Sequence, residues 1–280
     1  IIMIMTDTNE KNTRKIITLL TDFGLRDPYV ASMKGVIYSI NPKALVVDIS
    51  HDIEGFDIYE GAFVLACAFK YFPRKTIHTV VVDPGVGTER RGIVVETENY
   101  LFVGPDNGVL MLAAEMDGIK RVVKIENRRF MRPLITYTFH GRDVFAPIAA
   151  HLSLGIPITE IGREIKDYIV PSFVKPEYTE DGIVAHVIHV DRFGNVITNI
   201  TSKIVFEILK WSYGDELMVE LPDGRRKTIL FQKSYGFVEK GAPLLLIDSE
   251  GFLELAVNMG NAAKKFKVGR GSTLLIYPRR

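Results

Sequence analysis

A chain of 280 residues that is 47% hydrophobic and 25% charged can bury a sizeable core, and its length fits one large domain or two modest ones. Its 35 basic and 34 acidic side chains leave a formal net charge of +1, which excludes the molecule-wide positive field that recruits nucleic acid and points to small-molecule or protein partners. The single cysteine, Cys67, excludes a disulfide framework and a multi-cysteine metal site, and no run reaches the roughly 20 apolar residues of a bilayer span.

The first residues, "IIMIMTDTNEKNTR", start apolar, but the apolar part is too short for a signal core, so residues 1–14 read as a disordered leader of a cytoplasmic protein. From Lys15 onward, short β-branched runs alternate with helical patterns. "KIITLLTD" is followed by a helix with Tyr29, Val30, Met33, Val36, Ile37 and Ile40 on one face. "ALVVDIS" is followed by one with Ile58, Ala62, Leu65 and Phe69 on one face. "TIHTVVVD", "GIVVET", "YLFVG" and "RVVKIEN" continue the series, and a helix is expected from about Arg142 to Leu154, stopped by Gly155 and Pro157. This order predicts an α/β domain over residues 15–175 with a mostly parallel sheet. Residues 176–280 carry only closely spaced strand runs such as "GIVAHVIHVD", "DELMVEL" and "FLELAV", with turns "RFGN" and "PDGR" between them. These predict a smaller all-β domain, either a sandwich or a barrel.

Ligands on open parallel sheets bind where strands stop, and four stops carry polar chemistry. In "TDFGLRDPYV", Asp22 ends a strand and suits either the paired hydroxyls of a ribose or a loop-closing role, while Asp27 before Pro28 reads as a helix N-cap. In "VVVDPGVGTERRG", Asp83 is followed by a Pro–Gly turn and by Arg90 and Arg91, which is either a solvated ion pair on a hairpin or a reaction site. The spacing matches no phosphate-binding loop. "VGPDNG" offers Asp106 and Asn107 as caps of a helix starting near Gly108. "TFHGRD" sets His140 in a strand-to-helix turn beside glycine, arginine and aspartate, alone among the six histidines. No histidine pair has metal-ligand spacing with a nearby cysteine, so no metal site is expected.

Together, "TDFGLRDPYV", "VVDPGVGTERR", "VGPDNG", "TFHGRDVFAP", "DRFGNVITNI" and "LLLIDSEGFLELAVNMGNAA" resemble the S-adenosylmethionine hydrolase family, the hydroxide adenosyltransferases, relatives of the fluorinating and chlorinating adenosyltransferases. The resemblance spans Lys15 to the C-terminus. It implies an N-terminal α/β domain, a C-terminal β-barrel, and a homotrimer that binds S-adenosyl-L-methionine between subunits. It implies that Asp83, Arg90 and His140 organise the attacking water and that Asp22 holds the ribose hydroxyls. It sets Asp191, Ser249 and Asp27 at the methionine end, and Asn195 with the backbone of Val257 and Met259 at the adenine edge. The products would be adenosine and L-methionine, with no cofactor and no metal. The halogenating relatives carry tyrosine where this chain has Asp83 and serine where it has Gly141, and the anionic Asp83 would repel a halide, so hydrolysis is expected. Glu250 departs from the fluorinating relatives, which carry arginine there. A halide-dependent adenosyltransferase and a non-catalytic adenosine-binding module are the alternatives; a dinucleotide oxidoreductase lacks its glycine loop. By residue type either Asp83 or His140 can take the water's proton, whereas Arg90 can only position and stabilise.

Overall fold

A computed structural model of the chain describes residues 15–180 and 182–279, so the leader expected over residues 1–14 lies outside the described residues. The chain divides into two compact units between Ile169 and Val170.

In the first unit the strands are β1 (Ile16–Thr21), β2 (Leu45–Ser50), β3 (Ile77–Val81), β4 (Gly92–Thr97), β5 (Leu101–Pro105), β6 (Ile119–Lys124) and β7 (Glu164–Ile165). They form one sheet in the order β2-β1-β3-β5-β4-β6-β7. The pairings β1–β2, β1–β3 and β3–β5 are parallel. Those from β5 through β4 and β6 to β7 are antiparallel. The change of direction has a local cause: only three residues separate Thr97 from Leu101, enough for a hairpin and far too few for a parallel crossover.

Helices α1 (Tyr29–Ile40), α2 (Ile58–Ala68), α3 (Met111–Asp117), α4 (Ala146–Ser153) and α5 (Ile158–Ile161) connect these strands. α1 packs on α4, and α2 on α3. Met33 and Ile37 of α1 and Ile148 of α4 share a core with Ile17 and Leu19 of β1. Because β1 is buried on both faces it shows no polar alternation, which is why its sequence reads as a continuous apolar run. The helix expected from about Arg142 is α4 preceded by a π-helical turn, Gly141–Phe145.

In the second unit the strands are β8 (Glu177–Tyr178), β9 (Ile183–Val190), β10 (Val196–Thr201), β11 (Glu216–Glu220), β12 (Arg226–Phe231), β13 (Pro243–Ile247), β14 (Phe252–Val257) and β15 (Thr273–Pro278), with one short helix, α6 (Ala262–Phe266). The order β10-β14-β13-β12-β11-β15-β9 closes through β9–β10 pairing into a seven-stranded barrel, and β8 adds to β9 outside the ring. Closure leaves no open edge and resolves the sequence's sandwich-or-barrel alternative. Inward side chains such as Val187, Leu217, Phe231, Leu245 and Leu255 fill the interior. Among the described residues no helix is long and apolar enough to cross a membrane.

Candidate active site

Parallel pairing brings the stops of β1 and β3 side by side: Thr21 and Val81 are register partners, so Asp22 and Asp83 emerge from adjacent strands at the same end of the sheet. β4 runs antiparallel to β5, and its first residue, Gly92, sits opposite Pro105 at the end of β5. The loop before β4 therefore delivers Arg90 to that same end. The π-helical turn brings His140, its N-cap residue, to the group from a distant part of the chain.

Asp83 is 7% exposed, and Arg90 grips both of its carboxylate oxygens: Nε donates to Oδ1 at 3.0 Å, and Nη2 donates to Oδ2 in a shorter contact. The same Nη2 lies 3.1 Å from Nδ1 of His140. A guanidinium only donates, so this Nδ1 is the acceptor and the ring's proton sits on Nε2. The charge state agrees, because burial first and the Arg90 charge second hold the His140 pKa below its ordinary 6.5, against smaller opposing effects of Asp83 and Asp143. The Arg90 guanidinium also lies over the Phe145 ring, 5.4 Å from its centroid. Asp83, Arg90 and His140, separated by up to 57 positions (83 to 140), thus form one connected cluster rather than a solvated hairpin pair.

A cavity of about 360 Å³ opens over this cluster, lined by Asp22, Phe23, Tyr29, Asp83, Phe139 and His140 among others. Arg90 does not line it and reaches it only through its two partners. Asp22 accepts a hydrogen bond from the Phe56 N–H at 2.8 Å, and burial, with a further contribution from Asp83, raises its pKa. Asp22 therefore closes a loop and also faces the cavity. Phe23, Tyr29 and Phe139 pack mutually, with centroids 5.3–5.7 Å apart. Nothing in the spacing of these rings marked them in the sequence.

The loop before the π turn is pinned from beneath by Asp143, which is fully buried. It accepts from the Thr136 N–H and hydroxyl and from Arg132 and Arg142. Burial alone would raise its pKa, yet these donors bring it down to about 2. Next to this loop, Gly87 has φ +76° and a Cβ there would lie 2.1 Å from the Tyr137 carbonyl oxygen, so the turn after Asp83 and the loop before His140 touch where only glycine fits.

The capping expectations for two helices are corrected. The N-cap of α1 is Pro28, without a side-chain bond, so Asp27 is no cap; it is exposed and does not line the cavity. The N-cap of α3 is Leu110. Asp106 instead receives Arg91 at 2.7 Å and the Ile169 N–H, and Asn107 bonds the Val82 carbonyl and the Val109 N–H. For Asp106 long-range partners outcompete the local one. His51 is buried with Nδ1 2.8 Å from the Thr21 hydroxyl and Nε2 3.1 Å from Asp48.

A second cavity, about 670 Å³, belongs to the barrel unit and is lined by Asp191, Phe193, Asn195, Tyr235, Val257 and Met259 among others. The β9–β10 turn supplies its polar edge. Asp191 Oδ1 accepts from the N–H groups of Phe193 and Asn195, and Oδ2 accepts from Asn195 Nδ2 at 2.9 Å. Gly194, φ +84°, passes so close to Asn261 that a Cβ would overlap its side chain at 2.1 Å. The Val257 carbonyl accepts from the Gly260 N–H, and Met259 has φ 51° and is 77% exposed. Ser249 is exposed in the β13–β14 turn and does not line this cavity. Tyr235 and Glu254, absent from the sequence reading, are linked here: the Tyr235 hydroxyl donates to Glu254 at 2.8 Å. Among the described residues no group of three or more His, Cys, Asp or Glu side chains is arranged to hold a metal ion.

Two family models match the chain: the SAM hydroxide adenosyltransferase N-terminal domain over residues 17–162 and the C-terminal domain of the same family over residues 185–275. An (R)-S-adenosyl-L-methionine hydrolase from Methanocaldococcus jannaschii is 44% identical over 262 residues, covering 90% of this chain and 92% of the relative. A fluorinase from Nocardia brasiliensis is 27% identical over 300 residues, covering 97% of this chain and 99% of the relative. A crystal structure of an uncharacterized conserved protein from Thermotoga maritima matches with a TM-score of 0.78 and 40% identity, covering 93% of this chain and 99% of that one. With the α/β unit, the barrel unit and both domain models in register, the chain belongs to the SAM hydroxide adenosyltransferase family.

Proposed function

We propose that this chain hydrolyses S-adenosyl-L-methionine: water attacks the ribose C5′ carbon in line with the departing methionine sulfur, giving adenosine, L-methionine and a proton. The observation that carries this reading is the cluster of Asp83, Arg90 and His140 under a cavity that Asp22 also lines. A sulfonium leaves without being protonated, so the demand falls on the nucleophile. Free water, with a pKa of about 15.7, is a poor one near neutrality. Asp83 is the acceptor for its proton: Arg90 occupies the single acceptor nitrogen of neutral His140, whereas each Asp83 oxygen keeps a second lone pair beyond its bond from Arg90. The neutral His140 ring then offers Nε2–H to fix the water's oxygen. Arg90 aims Asp83 by gripping both of its oxygens, and holding the water in line contributes more than proton transfer.

Asp22 accepts from the ribose hydroxyls in this scheme. Asp191, Ser249 and Asp27 serve the methionine end, and Asn195 with the Val257 and Met259 backbone serves the adenine. These residues fall on two separate units, each with its own cavity, and in the homotrimer we propose each site joins the first unit of one subunit to the barrel of a neighbour. Phe193 and Met259, 70% and 77% exposed beside the barrel cavity, are the apolar surfaces such an arrangement would cover. We place the enzyme in the cytoplasm, where a chain with a single cysteine is ordinary. The substrate carries its own leaving group, so the scheme calls on no cofactor.

Hydrolysis is favoured over halide transfer by the space at Gly141. A Cβ there would meet the Phe23 and Phe139 rings at ordinary contact, 3.4 Å, but lie 3.2 Å from the Met33 sulfur, so the serine of the halogenating relatives would have to displace that side chain. The test is chromatography of products after incubation with S-adenosyl-L-methionine, with and without chloride, fluoride or a chelator. Adenosine and methionine in halide-free buffer support the reading; a 5′-halogenated nucleoside formed only with halide overturns it.

A further inference from the structure

We propose that Tyr235 and Glu254 are positioning residues that fix which way round the Asn195 amide faces, and thereby select a 6-amino purine over a 6-oxo purine. The proposal rests on the adenosyl reading above and goes beyond it in assigning base selectivity to a relay behind the cavity.

Along β14, Leu253, Leu255 and Val257 point into the barrel core, so Glu254 lies on the outer face, yet it is only 3% exposed. The loop carrying Tyr235 and Val238 covers it: Val238 packs on the outward Leu244, Leu246 and Ala256. A carboxylate buried on a barrel's outside costs stability unless it is bonded, and the Tyr235 hydroxyl donates to it at 2.8 Å. Burial, with help from Asp248 and Asp191 and against the Tyr235 bond, raises its pKa to about 7. In either protonation state one oxygen remains an acceptor, so the tyrosine proton points to Glu254 throughout.

The direction of every other bond then follows. With its proton committed, the Tyr235 oxygen accepts from Asn195 Nδ2 at 3.4 Å. At the other end Asp191 also accepts from Nδ2, at 2.9 Å. Both hydrogens of the Asn195 amide are thus assigned by acceptor groups, and its Oδ1, to which no described residue donates, is left for a ligand in the cavity. An exocyclic amine can donate to that oxygen. A 6-oxo group would set one acceptor against another, the kind of mismatch that a site built around a hydrogen bond rejects strongly. Without Glu254 the tyrosine hydroxyl is free to turn its proton away, and without the hydroxyl one Nδ2 hydrogen loses its acceptor, so in either case the amide is held from the Asp191 side alone.

The experiment compares adenosine and inosine binding by calorimetry on the full chain. Wild type should favour adenosine by at least tenfold. Tyr235→Phe and Glu254→Leu should each cut that ratio at least fivefold, while Glu254→Gln, whose carbonyl can still accept, should restore it. A wild-type ratio near one overturns the proposal, as does a ratio unchanged within twofold in both Tyr235→Phe and Glu254→Leu. Turnover of S-adenosyl-L-methionine by the same wild-type sample separates the two levels: hydrolysis with unchanged ratios removes the relay alone, whereas no binding of either nucleoside removes the adenosyl reading with it.

Discussion

Replacing Asp83 by asparagine tests the reaction scheme at the atom that accepts the proton. In the native site each carboxylate oxygen takes one bond from Arg90. An asparagine amide can match only one of those bonds; its NH₂ meets the other guanidinium N–H donor to donor. The Arg90 side chain is 9% exposed, so its charge also loses its counter-ion where water can replace little of it. Loss of a general base costs about 10² to 10⁴ in rate, equivalent to about 2.7–5.4 kcal/mol at 1.36 kcal/mol per decade. Breaking a buried pair costs a further 3–5 kcal/mol of folding stability, roughly, on the usual scale. The expectation for Asp83→Asn is a kcat lowered 10²- to 10⁴-fold, roughly, in a chain that melts earlier, with adenosine affinity changed only a few-fold because Asp22 and the barrel contacts remain. Single-turnover chromatography of adenosine at saturating substrate, paired with calorimetry, reads these terms separately. The acid limb of the rate should also move to lower pH, because Asp83 is one of the groups that raise the His140 pKa. A kcat within threefold of wild type would remove Asp83 from the chemistry.

In the unmodified protein His140 is neutral above its ordinary 6.5, so kcat should be flat through pH 7 and decline only below 6.5; an acid limb centred above pH 7 contradicts the assignment. His78 is buried with its pKa lowered to about 3, chiefly by desolvation. The unfolded chain takes up its proton below 6.5 while the folded chain refuses it until about 3, so this contribution to stability is complete above 6.5 and is lost as pH falls. The stability advantage of wild type over His78→Gln, from urea midpoints, should shrink by up to about 4 kcal/mol across that window, and an advantage that grows toward acid would refute it. Gly87→Ala should lower both melting temperature and kcat, by more than about 1 kcal/mol in stability, because it meets the Tyr137 carbonyl as well as an unfavourable φ; a stable, fully active variant would show that the two loops do not abut. Asp143→Ala should cost about 3–5 kcal/mol in urea unfolding by leaving Arg142 and Thr136 without their acceptor, and a loss under 1 kcal/mol would make the network ornamental.

The parts of the molecule that were legible in its sequence are those governed by local pattern. Continuous apolar runs such as "IITLLT" announced strands covered on both faces, and the one-sided stripe of Val30, Met33 and Ile37 announced α1. The six ordered motifs identified the family, and their polar residues at strand stops converge as Asp83, Arg90 and His140 do. Long-range competition was invisible. Asp106 looked like a cap because nothing in "VGPDNG" shows that Arg91 and the Ile169 N–H reach the same carboxylate. Tyr235 and Glu254 escaped notice because "KSYGF" has no period and Glu254 looks like the solvent-facing member of an alternating strand, whereas a loop 19 positions earlier buries it. The antiparallel half of the first sheet was readable in principle from the three-residue gap before β5.

The π-helical turn at Gly141–Phe145 separates two jobs that one continuous α-helix would tie together. It holds one residue more than an α turn, so whatever precedes it is rotated about 100° from the position that α4 would otherwise dictate. α4 can keep Ile148 and Ala149 in the core while His140 is aimed independently at the water site. Deleting a single residue from that turn would leave the hydrophobic stripe in place and swing the imidazole off target. A homologue shorter by one position there should therefore fold like its relatives yet fail as a hydrolase, a lesion that length alone would reveal.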